Sequence, residues 1–145
     1  MKPARASKET HPAASRAGTI AAALFLVICL FQIGLAIGLP WGEAAFGGAN
    51  TGVLPAELRV SSAIAAVVYG ALAVVAGTRL APAPIRRVVL YGAAGLMAVG
   101  VLANIASPSF VERIIWAPVT IVLTMCLWNA ARHPSLNSRT RPATV

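Results

Sequence analysis

The sequence predicts an all-α protein, an integral membrane four-helix bundle. The first observation behind this prediction is a set of stretches without Asp, Glu, Lys or Arg: residues 17–42, 60–78, 88–111 and 114–131. A helix needs about 20 apolar residues to cross a hydrocarbon core of about 30 Å, so these stretches meet or nearly meet that length. The second observation is that they carry no polar face, which the helices of a soluble protein would present to water.

Helix is the expected state of these stretches, because backbone polar groups in lipid must be paired within the segment. The predicted spans form one domain over residues 17–132: 17–39, 57–79, 86–106 and 110–131. The first span is longer than the ~7–15-residue apolar region of a signal peptide, so we expect a retained helix. Residues 1–16 and 133–145 are predicted to be cytoplasmic tails.

The connections between the first three spans differ in length and composition. Residues 80–85 are short and contain Pro82 and Pro84, which block helix continuation. They predict that the second and third helices form an antiparallel hairpin. Residues 39–54 form a longer connection that is rich in glycine.

The fourth span carries a helix-start signal. Ser109 and Glu112 have the spacing of a capping box, which predicts that the helix begins near Phe110. Pro118 lies inside the span and removes a backbone hydrogen bond, so we expect a bend there.

The third observation is the distribution of charge, which sums to a net +8. If the chain crosses the membrane four times, one side holds Glu9 and ten basic residues, and the other holds three acids and two bases. The first set of bases is Lys2, Arg5, Lys8, Arg16, Arg79, Arg86, Arg87, Arg132, Arg139 and Arg141. The positive-inside rule then predicts an inner (plasma) membrane protein with both termini cytoplasmic. Because topology accounts for the bases, we expect membrane lipid as a partner, and we do not expect nucleic acid.

The predicted spans contain almost no groups that carry chemistry. No acid, base or histidine lies deep in any of them, which argues against a proton-coupled transporter. His11 and His133 lie in the tails, where they could not ligate a haem within the bundle. Cys29 and Cys126 are single cysteines without a CxxC motif. We therefore expect no catalytic residues, no metal and no cofactor.

Small and polar residues within the spans predict helix packing. Interhelical hydrogen bonds are the expected role of the polar ones: Gln32, Asn104, Thr120, Thr124 and Asn129. Small residues at a spacing of four predict close helix contacts: Gly34 with Gly38, Ala66 with Gly70, Ala73 with Gly77, and Ala94 with Ala98.

Charged and aromatic residues gather at the predicted outer boundary. The candidates for ligand binding there are Trp41, Glu43, Glu57, Arg59, Asn104, Glu112, Arg113 and Trp116. One interpretation is an ion-pair network that fixes helix ends, for instance Arg59 with Glu112. The other is a shallow pocket that binds a small or lipidic ligand, because charges in a cleft are candidates for function.

Several of these residues recur in a pattern. It consists of residues 40–48 (PWGEAAFGG), 54–55 (LP), 58–59 (LR), 112–113 (ER) and 116–118 (WAP). With this pattern the chain resembles a group of small, uncharacterised bacterial membrane proteins with four spans. The resemblance implies an architecture and does not imply an activity.

Three classes of function remain open on the sequence, which favours a protein without enzymatic activity but does not decide the question. The leading hypothesis is an accessory or binding protein that uses its outer face, alone, as a homo-oligomer or in a larger membrane complex. The alternative is a small homo-oligomeric transporter or channel. The third is an enzyme acting on lipid, with Glu43, Glu57 or Glu112 as acid or base.

Overall fold

The computed structural model describes residues 15–132, which form four α-helices and no strand. The helices are α1 (Arg16–Ile37), α2 (Ala56–Gly77), α3 (Ala83–Ile105) and α4 (Phe110–Arg132). Two short 3-10 turns, Gly42–Ala44 and Phe46–Gly48, lie between α1 and α2. The predicted tail 133–145 lies outside the described residues, as do residues 1–14 of the first tail, and with them His11 and His133.

All four helices are long and apolar enough to cross a membrane. They have 22 or 23 residues and mean hydropathies between 1.7 and 2.7, which matches the length that a bilayer requires. Large apolar side chains remain exposed on their outward surfaces, for example Leu30, Val67 and Val88, at 66%, 74% and 72% exposure. A surface of this kind suits lipid and not water. The predicted all-α four-helix membrane fold is confirmed, and the chain is a multi-pass membrane protein.

The bundle has two ends, which we name by their connections. The loop end holds the α1–α2 connection, residues 38–55, and the α3–α4 connection, residues 106–109. The tail end holds the start of α1, the α2–α3 connection and the end of α4.

The helices pack in the order α2, α1, α4, α3. α1 packs along α2 and against α4, and α4 packs along α3, whereas α2 and α3 contact each other little. The predicted hairpin of the second and third helices is therefore not a packed pair. The reason lies in α2, whose small residues face α1: Ala22 lies close to Gly77, and the Cys29 thiol donates to the carbonyl of Ala66 over 3.2 Å.

The main core occupies the tail half and the middle of the bundle. Phe25 of α1, Leu90 of α3, and Leu123 and Leu127 of α4 are at most 1% exposed. These side chains fill the space between the helices in the tail half of the bundle. A smaller cluster of Leu35, Ala45 and Leu54 joins the loop end to α1.

The Gly34 and Gly38 pair does not form the predicted contact between helices. Gly34 lies against the ring of Trp41, which belongs to the connection that follows α1. Gly38 has a left-handed backbone, with φ of 95°, and caps α1 by donating its N–H to carbonyls of the last turn. The two glycines are four residues apart because Gly38 ends α1, and Gly34, one turn earlier, makes room for Trp41 where the chain folds back on the helix.

Gly18 lies where three helices meet at the tail end. A Cβ atom at this position would lie 2.6 Å from the carbonyl oxygen of Ala76 and 3.3 Å from the guanidinium of Arg86. We therefore expect Gly18→Ala to lower the free energy of unfolding by about 1–3 kcal/mol, measured by denaturant titration in detergent. Gly95→Ala is the control, because nothing lies within 4 Å of a Cβ there. Equal stability of the two variants would contradict this packing.

Candidate functional site

The α1–α2 connection folds back onto the bundle in a conformation that depends on glycine. The N–H of Gly42 donates to the carbonyl of Gly52 over 2.9 Å, which closes the connection into a compact loop. Phe46, Gly47 and Gly48 have φ of 52°, 73° and 71°. Three successive left-handed residues are costly for side chains other than glycine, and they turn the N–H of Gly47 towards α4.

The loop packs against the first turn of α4. The backbone N–H of Glu112 donates to Ser109 Oγ over 3.1 Å, which is the helix cap. The same hydroxyl donates to the backbone carbonyl of Glu43 over 2.7 Å. α4 begins at Phe110, as predicted. Ser109 thus caps α4 and holds the loop at once.

The carboxylate of Glu112 binds the loop and not the helix cap. Its Oε2 accepts from the N–H of Gly47 over 3.0 Å and from the hydroxyl of Ser107. The predicted capping box is therefore only half formed, because the N–H of Ser109 donates to Ser107 Oγ over 3.2 Å. The loop offers Glu112 a backbone donor that the local sequence does not reveal.

Aromatic residues add a third attachment between the loop and α4. The indole N–H of Trp116 donates to the carbonyl of Ala44 over 2.8 Å. Phe31 of α1 stacks on Trp41, with ring centres 5.8 Å apart, and packs at a tilt on Trp116 at 4.7 Å. Ser109 and Trp116 donate to the loop and Glu112 accepts from it, and these bonds hold the loop as a lid over the space between α1 and α4.

A cavity of about 180 Å³ lies beneath this lid. Residues 44–46 of the loop line it, and it is partly open to the surroundings. Along α4 it runs from Glu112 to Thr120, about 12 Å at 1.5 Å per residue. Its apolar wall includes Ile28, Phe31, Tyr69 and Trp116, and its polar groups belong to Gln32, Asn104, Glu112 and Thr120.

Part of the hydrogen-bonding capacity in the cavity is unused. Gln32 Oε1 is buried and has no partner among residues 15–132. Glu112 Oε1 and the side-chain amide of Asn104 likewise make no hydrogen bond within the described part of the chain. Thr120 differs, because its hydroxyl donates to the carbonyls of Trp116 and Ala117 at 2.8 and 3.0 Å. A buried acceptor without a partner costs free energy, which a ligand in the cavity would offset for Gln32. Ser62 Oγ is the other buried side-chain polar atom without a partner among the described residues, and it does not line the cavity.

Three of the eight predicted ligand-binding residues line the cavity: Asn104, Glu112 and Trp116. Arg59 lies outside it, and its Nε donates to the carbonyl of Ala36 over 3.0 Å. Arg59 therefore helps to cap the C-terminus of α1, where carbonyls lack helical partners. The suggested pair of Arg59 with Glu112 is not formed, since each binds a backbone or hydroxyl group instead.

The other four candidates lie at the surface of the loop end. The side chains of Glu43, Glu57 and Arg113 are exposed. Trp41 is 44% exposed and covers Phe31. The structure therefore does not gather these four with the cavity residues.

The sequence did not assign Phe31, Tyr69 or Gln32 to a binding site. For the two aromatic residues it offers no signal, since they resemble any apolar side chain of a span. Gln32 was predicted to bond between helices, and its oxygen makes no such bond. It is the one amide in the first span, which is a signal that could have marked it.

The remaining polar groups give no second chemical site in the described residues. Thr124 donates to the carbonyl of Thr120 within α4, so it does not bond between helices. Cys29 and Cys126 are free thiols on different helices. Between residues 15 and 132, no three His, Cys, Asp or Glu side chains gather closely enough to hold a metal ion.

Comparison of the chain with protein-family models, with curated proteins and with solved structures gives no match.

Proposed function

We propose that the chain is a bacterial plasma-membrane protein that binds a small amphipathic or lipid-derived ligand in the cavity at its loop end. Both termini are cytoplasmic in this proposal, so the loop end faces the outside. The charge distribution supports this orientation, because described basic residues concentrate at the tail end: Arg16, Arg79, Arg86, Arg87 and Arg132. The described acids all lie at the loop end: Glu43, Glu57 and Glu112.

The observation that carries this proposal is unused hydrogen-bonding capacity inside an aromatic cavity. Binding sites for small molecules are mostly apolar, with a few polar groups that fix orientation. The unpartnered oxygen of Gln32, the free oxygen of Glu112 and the amide of Asn104 are such groups here. A purely structural role for them would leave Gln32 unsatisfied.

The chemistry of the cavity defines the class of ligand. Two of the free groups are acceptors, so the ligand has a hydrogen-bond donor such as a hydroxyl or an amine. Rings of Phe31, Tyr69 and Trp116 favour an apolar or cationic portion beside that donor. The volume is below the ~300–1,000 Å³ of sites for drug-sized molecules, so the cavity takes a small ligand or the head of a longer one.

The route of entry is proposed to run sideways from the membrane. α2 and α3 each contribute one residue to the cavity, Tyr69 and Asn104, and contact each other little. The packed residues Phe25, Leu90, Leu123 and Leu127 close the bundle towards the tail end. This favours a binding protein over a pore through a single chain.

Removal of the two carboxamides tests the proposal. We expect the chain purified gently from its native membrane to carry a small molecule in a fixed ratio, identified by mass spectrometry. Gln32→Leu combined with Asn104→Leu should lower its retention by at least tenfold, because the lost bonds are worth about 1 kcal/mol each or more.

Asn129→Leu is the matched control, since it removes an exposed amide outside the cavity. It should retain the ligand as the parent chain does. Undiminished retention in the Gln32 and Asn104 variant, with normal insertion, would contradict the proposed site.

A further inference from the structure

Two arginines at the tail end lie over the rings of an aromatic pair that joins α3 to α4. The guanidinium carbon of Arg87 lies 5.8 Å from the ring centre of Tyr91, one turn along α3. That of Arg132 lies 4.9 Å from the ring of Trp128, one turn back along α4. The two rings meet edge to face, with centres 5.1 Å apart. Arg87, Tyr91, Trp128 and Arg132 thus form one continuous surface, which we name the arginine–aromatic surface.

This surface faces the surroundings of the bundle. Arg87 and Arg132 are exposed, and Trp128 is 44% exposed. Neither guanidinium donates a hydrogen bond within residues 15–132. A guanidinium that lies over a ring at these distances still has N–H groups that can bind a phosphate with two parallel bonds.

An apolar surface continues from the aromatic pair towards the middle of the membrane. Helical spacing places Gly95 and Ala98 in line with Tyr91 on α3, and Met125 and Ile121 in line with Trp128 on α4. All four are exposed, and a Cβ at Gly95 would meet nothing within 4 Å. These exposed residues form an apolar strip along the α3–α4 contact.

We propose that the arginine–aromatic surface binds the phosphodiester headgroup of an anionic membrane phospholipid, with an acyl chain along the apolar strip. Charge complementarity selects this occupant, because two cations lie at the depth where headgroups lie and the exposed apolar strip continues below them. Aromatic residues prefer this interfacial depth, and basic residues beside membrane helices attract anionic lipids. The site is independent of the cavity, which lies at the other end of the bundle.

The other described arginines at this end do not share the arrangement. Arg86 donates to the carbonyls of Val75, Ala76 and Thr78, so its guanidinium is engaged within the bundle. Arg16 and Arg79 are exposed, and neither stacks on an aromatic ring of the described residues. These two provide a control that removes the same charge from the same end.

The experiment compares two double variants, Arg87→Gln with Arg132→Gln and Arg16→Gln with Arg79→Gln. Each chain is placed in nanodiscs of phosphatidylcholine with a minor fraction of phosphatidylglycerol. The protein is then released from the nanodisc, and the lipids that stay bound to it are counted by native mass spectrometry. We expect the Arg87 and Arg132 variant to lose phosphatidylglycerol enrichment by roughly 25-fold, about fivefold for each base. The Arg16 and Arg79 variant should keep most of it.

An equal loss in both variants would overturn the proposal, because it would show a general attraction of the basic end for anionic lipid. Unchanged enrichment in the Arg87 and Arg132 variant would overturn it as well. A competition with inorganic phosphate separates a lipid site from a simple anion site. Phosphate should not displace the lipid, whose acyl chain adds apolar contact, and displacement by phosphate alone would contradict the assignment to lipid.

Discussion

Glu112→Ala is expected to release the α1–α2 loop from α4 and to lower the free energy of unfolding by about 2–4 kcal/mol. The carboxylate accepts from the N–H of Gly47 and the hydroxyl of Ser107, and bonds to a charged acceptor contribute about 1.5–3 kcal/mol each. Loss of the carboxylate also leaves the left-handed turn at Gly47 without its partner. Denaturant titration in detergent measures the stability, and hydrogen exchange across residues 42–52 measures the release of the loop.

Two controls separate the hydrogen bonds of Glu112 from its charge. Glu112→Gln keeps an acceptor for Gly47, so we expect less than half of the destabilisation and slow exchange in the loop. Glu57→Ala removes an exposed carboxylate and should change stability by no more than about 0.5 kcal/mol. Loop exchange as slow in Glu112→Ala as in Glu57→Ala would show that Glu112 does not attach the loop to α4.

Arg86→Ala is expected to loosen the tail end and to lower the free energy of unfolding by about 2–4 kcal/mol. The guanidinium of Arg86 joins the first turn of α3 to the last carbonyls of α2, with bonds of 3.1, 3.2 and 3.0 Å. Those carbonyls have no helical donors and carry partial negative charge. Loss of the guanidinium leaves these carbonyls without their donors, so we expect a lower midpoint in thermal unfolding.

The planar shape of the Arg86 guanidinium contributes to stability as well as its charge. Arg86→Lys keeps the charge but supplies one compact ammonium in place of a planar fork, so it should recover only part of the stability. Arg79→Ala, which removes an exposed neighbouring arginine, should have little effect. Equal midpoints for Arg86→Ala and Arg79→Ala would show that the three bonds do not stabilise the joint.

The membrane fold could be predicted because its signals are local. A charge-free stretch of about 20 residues has few stable states in lipid. The start of α4 was also readable, since Ser109 caps the helix from three residues before Glu112. Neither inference requires knowledge of which helices touch.

The site could be predicted only in part, because its contacts join distant segments. Glu112 binds Gly47, and Trp116 binds Ala44, across 65 and 72 residues. Helices that are apolar all round show no stripe that marks the buried face, so the pairing of α1 with α4 and the small contact of α2 with α3 had no periodic signal. The interhelical hydrogen bond predicted for Gln32 does not form. The sequence could not show this, because it does not reveal which residues lie opposite Gln32 in the bundle.

The most direct test of the loop-end cavity as a binding site is to identify by mass spectrometry the molecules that stay bound to the parent chain and to variants of each proposed site. The parent chain, the Gln32→Leu and Asn104→Leu variant and the Arg87→Gln and Arg132→Gln variant are extracted from the native membrane under identical conditions. We predict that the first variant loses the small ligand and keeps anionic phospholipid, whereas the second shows the reverse. A parent chain that carries no small molecule in fixed ratio, or a ligand lost equally from both variants, would contradict the binding cavity.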